Sequence, residues 1–364
     1  MPRIHWALLL LSLGCCDGSI NGPDGGASAS SPSDGSHPGS PEGGQPPDAA
    51  PPAQRHARCG WIGPGDSVGI QAFVTNATYF DVVHPSWYAI AADGIAVRAI
   101  AGADDAQVLA AASANNVRVW PLVAGVDNPA FVRTMMGSAT TRAAHIQMLV
   151  SLAMQHGYAG LDIDYEGLWT SSDRSPYTTF IQELARAMHA AGKQVSIAGP
   201  ALTSNAAGNA WEYPVIAASL DVIHLMGYDY HWLGGDHVGP VAPLGWVDAA
   251  AAFAASTGNG AKFVLGVPNY GIAAGFACSG TECEAACGGS YGTVDTHMPS
   301  CPYGVYDAGR APHCAYGGST LSFDDLASLE EKVQAAHNHG LGGVTYWTIG
   351  REHAGWFQMV RRYF

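Results

Sequence analysis

The sequence has few charged residues and lacks both long apolar runs and basic clusters. Charged residues make up 13% of the 364 residues, and no apolar run approaches the roughly 18 residues that a membrane-spanning helix needs. No transmembrane helix is therefore predicted. Basic residues number 16 against 30 acidic residues, which gives a formal net charge of -14 and argues against a surface for nucleic acid or anionic lipid. A neutral partner is the simpler expectation.

The N-terminal stretch has the composition of an export signal followed by a tether. A basic residue, Arg3, precedes a short apolar core over residues 7–13, and the sequence Leu-Ser-Leu-Gly-Cys-Cys follows at residues 11–16. Because this resembles a bacterial lipobox, residues 1–15 are predicted to be a lipoprotein-type signal with Cys15 as the lipidated residue. Cys16, or simple secretion, is the alternative. Residues 16–58 have almost nothing apolar to bury, so a flexible Gly/Ser/Pro linker is expected there.

Two cysteines separated by two residues, a common zinc-ligand spacing, do not occur in this chain. Six cysteines would remain after removal of a signal, an even number that favours disulfide bonds in an exported protein, with pairing that the sequence does not reveal. These disulfide candidates are Cys59, Cys278, Cys283, Cys287, Cys301 and Cys314. A zinc site that includes His297 or His313 is the alternative. Neither a metal nor a cofactor is predicted.

Beyond Cys59, strand patterns alternate with helix patterns as far as the C-terminus. The strands are predicted at residues 68–74, 83–90, 117–123, 158–166, 194–198, 221–226, 262–266 and 342–347. The helices are predicted at 104–115, 139–156, 176–191, 209–219, 247–256 and 324–339, with one more at the end. This alternation predicts an α/β protein, a (β/α)8 TIM barrel over residues 59–364, with a cysteine-rich insertion at 273–322 after strand seven.

Three acidic residues two apart lie on the fourth predicted strand. Residues 158–166 read Tyr-Ala-Gly-Leu-Asp-Ile-Asp-Tyr-Glu, so Asp162, Asp164 and Glu166 share one face of an extended strand. Neighbouring carboxylates cannot all ionise easily, so one of them can stay protonated and act as the acid that cleaves a glycosidic bond. A solvated edge strand and a divalent cation site are the alternatives.

This segment also resembles the signature of family 18 glycoside hydrolases, the chitinase family, whose strand four carries Asp-Gly-x-Asp-x-Asp-x-Glu. Residues 226–229 (Met-Gly-Tyr-Asp) are similar to the family's strand-six element, and 265–271 (Leu-Gly-Val-Pro-Asn-Tyr-Gly) to its strand-seven element. Residues 342–347 resemble strand eight with its tryptophan, and 196–201 resemble strand five. The elements occur in the order that the family has.

The resemblance implies a role for each matching residue. Glu166 would protonate the glycosidic oxygen, and the substrate's own 2-acetamido oxygen would attack the anomeric carbon, which gives a retaining, substrate-assisted reaction. Asp164 would contact the acetamido N–H, Asp162 would orient Asp164, and Tyr228 would contact the acetamido carbonyl. Predicted substrate-binding residues are Asp229, Trp347, Met226, Tyr270 and Trp232, with Trp87, Trp120 and Trp169 as further candidates for stacking on sugars.

Ala159 departs from the family pattern, because it stands where the first Asp of the signature is expected. The surrounding residues look more like the branch that includes spore-cortex lytic enzymes, so the expected substrate is a glycan with β-linked N-acetylglucosamine, either chitin or peptidoglycan. A monomer is expected, with contact to a membrane only through the lipid anchor. The alternatives are a lectin-like barrel without turnover and an adhesion module that uses the cysteine-rich segment.

Overall fold

A barrel of parallel strands stands at the centre of the molecule. The structure, a computed structural model, describes residues 56–125, 128–233, 235, 238–273, 276–279, 309–316 and 319–364. The barrel strands in this part of the chain are β1 (Cys59–Ile62), β2 (Val82–Ile90), β5 (Leu122–Ala124), β6 (Gly160–Asp164), β7 (Gln194–Pro200), β8 (Val222–Met226), β9 (Phe263–Pro268) and β14 (Gly343–Trp347). They pair in that order, and a parallel bridge from Arg58 to Val344 brings β14 back beside β1. The predicted (β/α)8 architecture is confirmed.

Six shorter strands accompany the barrel within the described residues. β3 (Val97–Ala99) and β4 (Arg118–Val119) pair with β2. The other four form an antiparallel sheet after β9, and they are β10 (Tyr270–Ala273), β11 (Phe276–Ser279), β12 (His313–Tyr316) and β13 (Ser319–Ser322). This sheet has the order β11-β10-β13-β12. It lies in the region where the sequence predicts an insertion.

Helices follow most of the barrel strands along the chain. Those described are α1 (Ser67–Asn76), α2 (Ala106–Ala114), α3 (Pro129–Met136), α4 (Ala139–Gln155), α5 (Ser171–Ala190), α6 (Tyr213–Ile216), α7 (Leu244–Ala254), α8 (Leu326–Asn338) and α9 (Trp356–Val360). Short helical turns occur at Ala77–Tyr79, Ala255–Asn259 and Gly260–Lys262. No helix among the residues described here is long and apolar enough to cross a bilayer.

The first strand is not where the sequence predicts it. Residues 68–74 form most of α1, and the strand is Cys59–Ile62 instead. Asp66 explains the difference, because its carboxylate caps the helix by accepting hydrogen bonds from the backbone N–H groups of Val68 and Gly69, both at 3.1 Å. A run of β-branched and aromatic residues after an N-cap residue is therefore helical here.

The other differences between prediction and structure concern the bounds of strands and helices. Residues 117–123 form two short strands rather than one, and Pro121 lies between them, where it removes a ladder donor. The helix predicted at 209–219 is the single turn Tyr213–Ile216, and α5 begins at Ser171, before the predicted start at 176. These differences leave the barrel topology unchanged.

The outward face of β6 packs into the layer between barrel and helices. Leu161, Ile163 and Tyr165 are all fully buried, as the alternation predicts. The ring of Tyr165 stacks on Phe180 of α5 with centroids 5.8 Å apart, and its hydroxyl donates to His145 Nε2 at 2.5 Å. Apolar contacts on this face anchor the strand, so its inner face is free to carry polar groups.

The predicted disulfide candidates divide into three groups. Cys283, Cys287 and Cys301 lie outside the described residues, and Cys278 has only its backbone described, in β11. Cys314 is buried in β12. Cys59 was wrongly included, because it is a free, buried thiol at the start of β1 whose Sγ–H donates to the carbonyl of His56 at 3.1 Å. The signal, the linker up to residue 55, Cys15, Cys16 and His297 also lie outside the described residues.

Candidate active site

The three acidic residues run from the middle of β6 to the end of the barrel where the parallel strands end. Asp162 is fully buried, Asp164 is 9% exposed at the last position of the strand, and Glu166 follows in the loop with its side chain half-buried. The backbone N–H of Gly125 donates to the carbonyl oxygen of Asp164 at 2.7 Å and ties this end of β6 to the loop after β5. Since β6 is a central strand buried on both faces, the solvated-edge alternative is wrong.

Asp162 accepts hydrogen bonds on both carboxylate oxygens. Trp61 Nε1–H donates to Oδ2 at 2.9 Å, Ser196 Oγ–H donates to Oδ1 at 2.6 Å, and His224 Nδ1 lies 3.2 Å from Oδ1. A carboxylate only accepts, so Nδ1 of His224 carries the proton. Each donor favours the anion. This set of donors does not suit a hard cation, which prefers oxygen ligands, so the carboxylate row is not built as a divalent cation site.

The pKa of Asp162 follows from this environment. Burial by itself would raise it, but His224 and His84 facing the carboxylate, together with the hydrogen bonds from His224 and Ser196, hold the pKa of Asp162 well below its usual range. The carboxylate therefore stays ionised inside the barrel. Burial lowers the pKa of His84 to about 3, with Asp162 acting in the opposite direction, so its imidazole is neutral at ordinary pH.

The pKa of Asp164 is shifted in the opposite direction to that of Asp162. Burial and the negative charge of Asp162 raise the pKa of Asp164 to about 7, while a hydrogen bond with Glu166 acts in the other direction. Its Oδ1 is buried with no hydrogen-bond partner among the described residues. At neutral pH the Asp164 carboxyl is therefore protonated in part of the molecules, and a hydrogen bond joins it to Glu166, one side chain nearer the cleft. Paired acidic groups with different pKa values are the arrangement that acid catalysis uses.

Tyr228 and Asp229 lie directly after β8 in the loop that faces the acidic row. Burial raises the pKa of Tyr228, and the charges of Asp164, Asp229 and Glu166 add to the effect, so the phenol keeps its proton and can donate it in a hydrogen bond. Burial raises the pKa of Asp229 to about 6, against a hydrogen bond that Tyr270 donates to its Oδ1. Asp229 has a φ of 59°, a left-handed conformation that Asp tolerates better than most residues.

An aromatic cluster lies beside the acidic row. Trp61 is fully buried at its centre, with its ring centroid 6.1 Å from that of Trp347 and 6.5 Å from that of Tyr228. Met226, Tyr270 and Trp347 are half-buried and pack against the same cluster, which gives them surface that a ligand can contact. The structure therefore brings three of the predicted binding residues together in this cluster. Trp232 is half-buried but is not a member of this cluster.

The three tryptophans predicted as further candidates for stacking on sugars differ in how deeply they are buried. Trp120 is completely buried and Trp87 is only 3% exposed, so both are core residues and neither can stack on a sugar. Trp169 is half-buried and packs against Trp211 with ring centroids 5.0 Å apart. Of these three tryptophans, only Trp169 keeps an exposed surface for a ligand.

Four residues of the site were missed by the sequence analysis, namely Trp61, His84, Ser196 and His224. Three of them lie on predicted strands at positions that face the barrel interior, so polar residues at inward positions were the available signal. Trp61 had no such signal, because residues 59–62 were not predicted as a strand. The partners of Asp162 are thus contributed by β1, β7 and β8, which only the closed barrel brings together.

The fold and the site define the chitinase type of barrel. A solved chitinase from Chromobacterium violaceum superposes with a TM-score of 0.73 at 22% identity, covering 84% of this chain and 98% of that chain. Residues 97–352 match the sequence model of the family Glycosyl hydrolases family 18. The chain belongs to this family.

Curated relatives fall into two groups. Chitotriosidase-1 of Mus musculus is 28% identical over 250 residues, which is 59% of this chain and 54% of that protein. The cortical fragment-lytic enzyme of Bacillus subtilis is 24% identical over 251 residues, which is 65% of this chain and 57% of that protein. The chain spans about 60% of the length of the curated relatives it matches. Both chitinases and cortex-lytic enzymes are thus among its relatives.

Proposed function

We propose that this protein is a retaining glycoside hydrolase that cleaves glycans containing β-linked N-acetylglucosamine. The observation that carries the proposal is the hydrogen bond between Glu166 and Asp164, at the open end of the barrel, above an Asp162 carboxylate that is held ionised. Together these residues keep one acid supplied with a proton next to the cleft. Membership of family 18 supports the same class of reaction.

In this mechanism Glu166 donates its proton to the glycosidic oxygen, and the bond to the leaving sugar breaks. The 2-acetamido oxygen of the substrate attacks the anomeric carbon and forms a cyclic oxazolinium ion, and water opens that ring with Glu166 acting as the base. An internal nucleophile replaces much of the entropic barrier of a bimolecular attack. The anomeric configuration is retained, because two displacements occur at the same carbon.

The other residues support the acetamido group in this proposal. Asp164 accepts a hydrogen bond from the acetamido N–H and stabilises the positive charge that develops on it. The protonated phenol of Tyr228 donates to the acetamido carbonyl, and the hydrogen bond from Tyr270 fixes Asp229 in the same pocket. Trp347, half-buried over Trp61, provides an aromatic floor for the sugar ring.

We propose peptidoglycan as the substrate in preference to chitin. The relatives named as cortical fragment-lytic enzymes support this choice, and so does the lipobox-like sequence, because an enzyme anchored in the envelope meets envelope glycans. In this proposal the chain is exported and lipidated at Cys15. Mass spectrometry of the mature N-terminal peptide, compared between the wild type and Cys15→Ala, tests the anchor. Lipid on Cys16 in both proteins would contradict it.

The function is tested by Glu166→Gln. Product release from chito-oligosaccharides and from purified peptidoglycan is measured by mass spectrometry, side by side for the wild type and the variant. We expect turnover of at least one substrate to fall about 10²- to 10⁴-fold, because general acid catalysis supplies roughly this factor. The melting temperature should change little, since Glu166 is only half-buried.

Unchanged turnover in Glu166→Gln would contradict the assignment of the acid. Binding of glycan by both proteins without cleavage by either would favour the lectin-like alternative. In that case Ala159→Asp, which restores the missing acidic residue of the family signature, is the next variant to assay.

A further inference from the structure

A second cluster of reactive side chains lies inside the barrel, and two of its three members also face Asp162. Cys59 of β1, His84 of β2 and His224 of β8 are each 0–1% exposed. One ligand atom of each residue lies within 4.8 Å of the others. The rings of His84 and His224 pack edge to face with centroids 4.5 Å apart. Three strands that are distant in sequence thus bring a thiol and two imidazoles to one point.

Hydrogen bonds orient the rings of both histidines. His84 Nδ1 lies 3.1 Å from the backbone carbonyl of Trp120, and His224 Nδ1 lies 3.2 Å from Asp162 Oδ1. Both oxygens can only accept, so both Nδ1 atoms carry a proton, and Nε2 is the ring nitrogen of each residue that remains for a ligand. Each Nε2 is buried with no hydrogen-bond partner in the described part of the chain. Two unpartnered buried ring nitrogens that lie so close together call for an explanation, and a bound ion supplies one.

The arrangement has the features of a metal centre with its supporting shell. Metal-binding histidines usually donate their other ring N–H to a carboxylate or a backbone carbonyl, and these two histidines do both. The distances also fit, because a zinc ion bonds sulfur at about 2.3 Å and imidazole nitrogen at about 2.0–2.1 Å. In a tetrahedral site these bond lengths place the ligand atoms about 3.3–3.6 Å from one another, which is inside the 4.8 Å within which the three ligand atoms lie.

We propose that Cys59, His84 and His224 bind one Zn²⁺ ion through Sγ and the two Nε2 atoms, with water as the fourth ligand. The thiol gives up its proton to solvent on binding, and the thiolate charge together with the Asp162 carboxylate balances the charge of the ion. The ion joins β1, β2 and β8 across the interior of the barrel. This site does not depend on the glycosidase proposal, and its occupancy can be measured without any substrate.

The experiment uses the full chain produced in medium supplemented with Zn²⁺ or with Co²⁺. Metal content is measured by mass spectrometry after passage over a chelating resin, and the Co²⁺ protein is examined by absorption spectroscopy. We expect one ion per chain, a thiolate-to-cobalt charge-transfer band, and the strong visible bands of a four-coordinate ion. The variant Cys59→Ala should lose the charge-transfer band and most of the metal.

The control is His145→Gln, which replaces a buried histidine outside the cluster. Both ring nitrogens of His145 are already used, by Ile95 O and by the Tyr165 hydroxyl, so this variant should lose stability but keep its metal. If Cys59→Ala does not fold, the spectrum of the wild type decides alone. A metal-free wild type, a Co²⁺ spectrum without a thiolate band, or equal metal content in wild type and Cys59→Ala would each overturn the proposal.

Discussion

Asp162 and Asp164 lie two residues apart on the same face of one strand, yet their surroundings give them opposite character. Asp162 sits in the middle of the barrel, where Trp61, Ser196 and His224 supply three hydrogen-bond donors. Asp164 sits at the open end, where its Oδ1 has no partner among the described residues and its nearest charge is another carboxylate. The pKa of the first is lowered and the pKa of the second is raised to about 7.

The difference shows that burial alone does not decide the charge of an acidic residue. Both side chains are taken out of water, and burial raises the pKa of each. The number of donors that face the carboxylate decides the outcome. A strand can therefore hold a fixed anion and a proton-carrying acid next to each other, provided that neighbouring strands contribute donors to only one of them.

Among the variants that test the contrast between Asp162 and Asp164, the largest effect is expected from Asp164→Asn. In the proposed mechanism Asp164 stabilises charge that appears only in the transition state, so its loss should lower kcat about 10²- to 10³-fold with a smaller change in KM. Steady-state kinetics on the preferred glycan measures both constants. The control is Asp173→Asn, which removes a buried ion-pair partner of Arg133 away from the row and should reduce stability but keep kcat. A rise in KM with kcat unchanged would contradict the role given to Asp164.

The two acids should also give the unfolding free energy opposite pH dependences. Asp164 has a folded pKa of about 7, above the ordinary 3.8, so its contribution to stability is complete below about pH 4 and is lost as the pH rises to about 7. Asp162 has a lowered pKa, so its contribution is present above its ordinary pKa of 3.8 and is lost as the pH falls below that value.

Urea unfolding of the wild type, Asp164→Asn and Asp162→Asn at a series of pH values measures these slopes. Asp164→Asn should lose less stability than the wild type between about pH 4 and 7, by roughly 2–4 kcal/mol. Asp162→Asn should be less stable than the wild type near neutral pH and should show a flatter decline in acid. Parallel pH profiles for all three proteins would show that neither shift exists.

The smallest effect is expected from Trp61→Phe. This change keeps an aromatic ring but removes the N–H that donates to Asp162 at 2.9 Å, which should cost about 1.5–3 kcal/mol of unfolding free energy because the acceptor is charged. The matched control is Trp356→Phe, since Trp356 is also fully buried but its indole nitrogen has no partner in the described residues. Equal losses in the two variants would mean that volume, and not the hydrogen bond, determines the effect.

The open end of the barrel and its interior differ in how much of them the sequence predicts. The residues of the open end could be predicted, because Asp164, Glu166, Tyr228 and Asp229 lie in short segments with recognisable spacing. The contacts inside the barrel could not be predicted from the sequence. The residues that set the state of Asp162 are separated from it by 101, 34 and 62 positions, and no local pattern links them.

The same reason explains the misplaced first strand. Residues 59–62 are too few to show an alternating pattern, and they become a strand because β2 and β14 lie on either side of them. Asp66 then starts a helix from residues whose composition favours a strand. Cys59 was assigned to the disulfide group because cysteine counting uses number and compartment, whereas burial in the barrel is decided by the strand that carries it.

The sequence by itself determined the alternation of strands and helices, the face on which the acids of β6 lie, and the family to which the chain belongs. Those properties follow from periodicity and from motifs a few residues long. Only the tertiary structure decided which acid is ionised, which tryptophans are core, and that Cys59, His84 and His224 meet. Each of these depends on contacts between strands far apart in the chain, and closure of the barrel alone creates them.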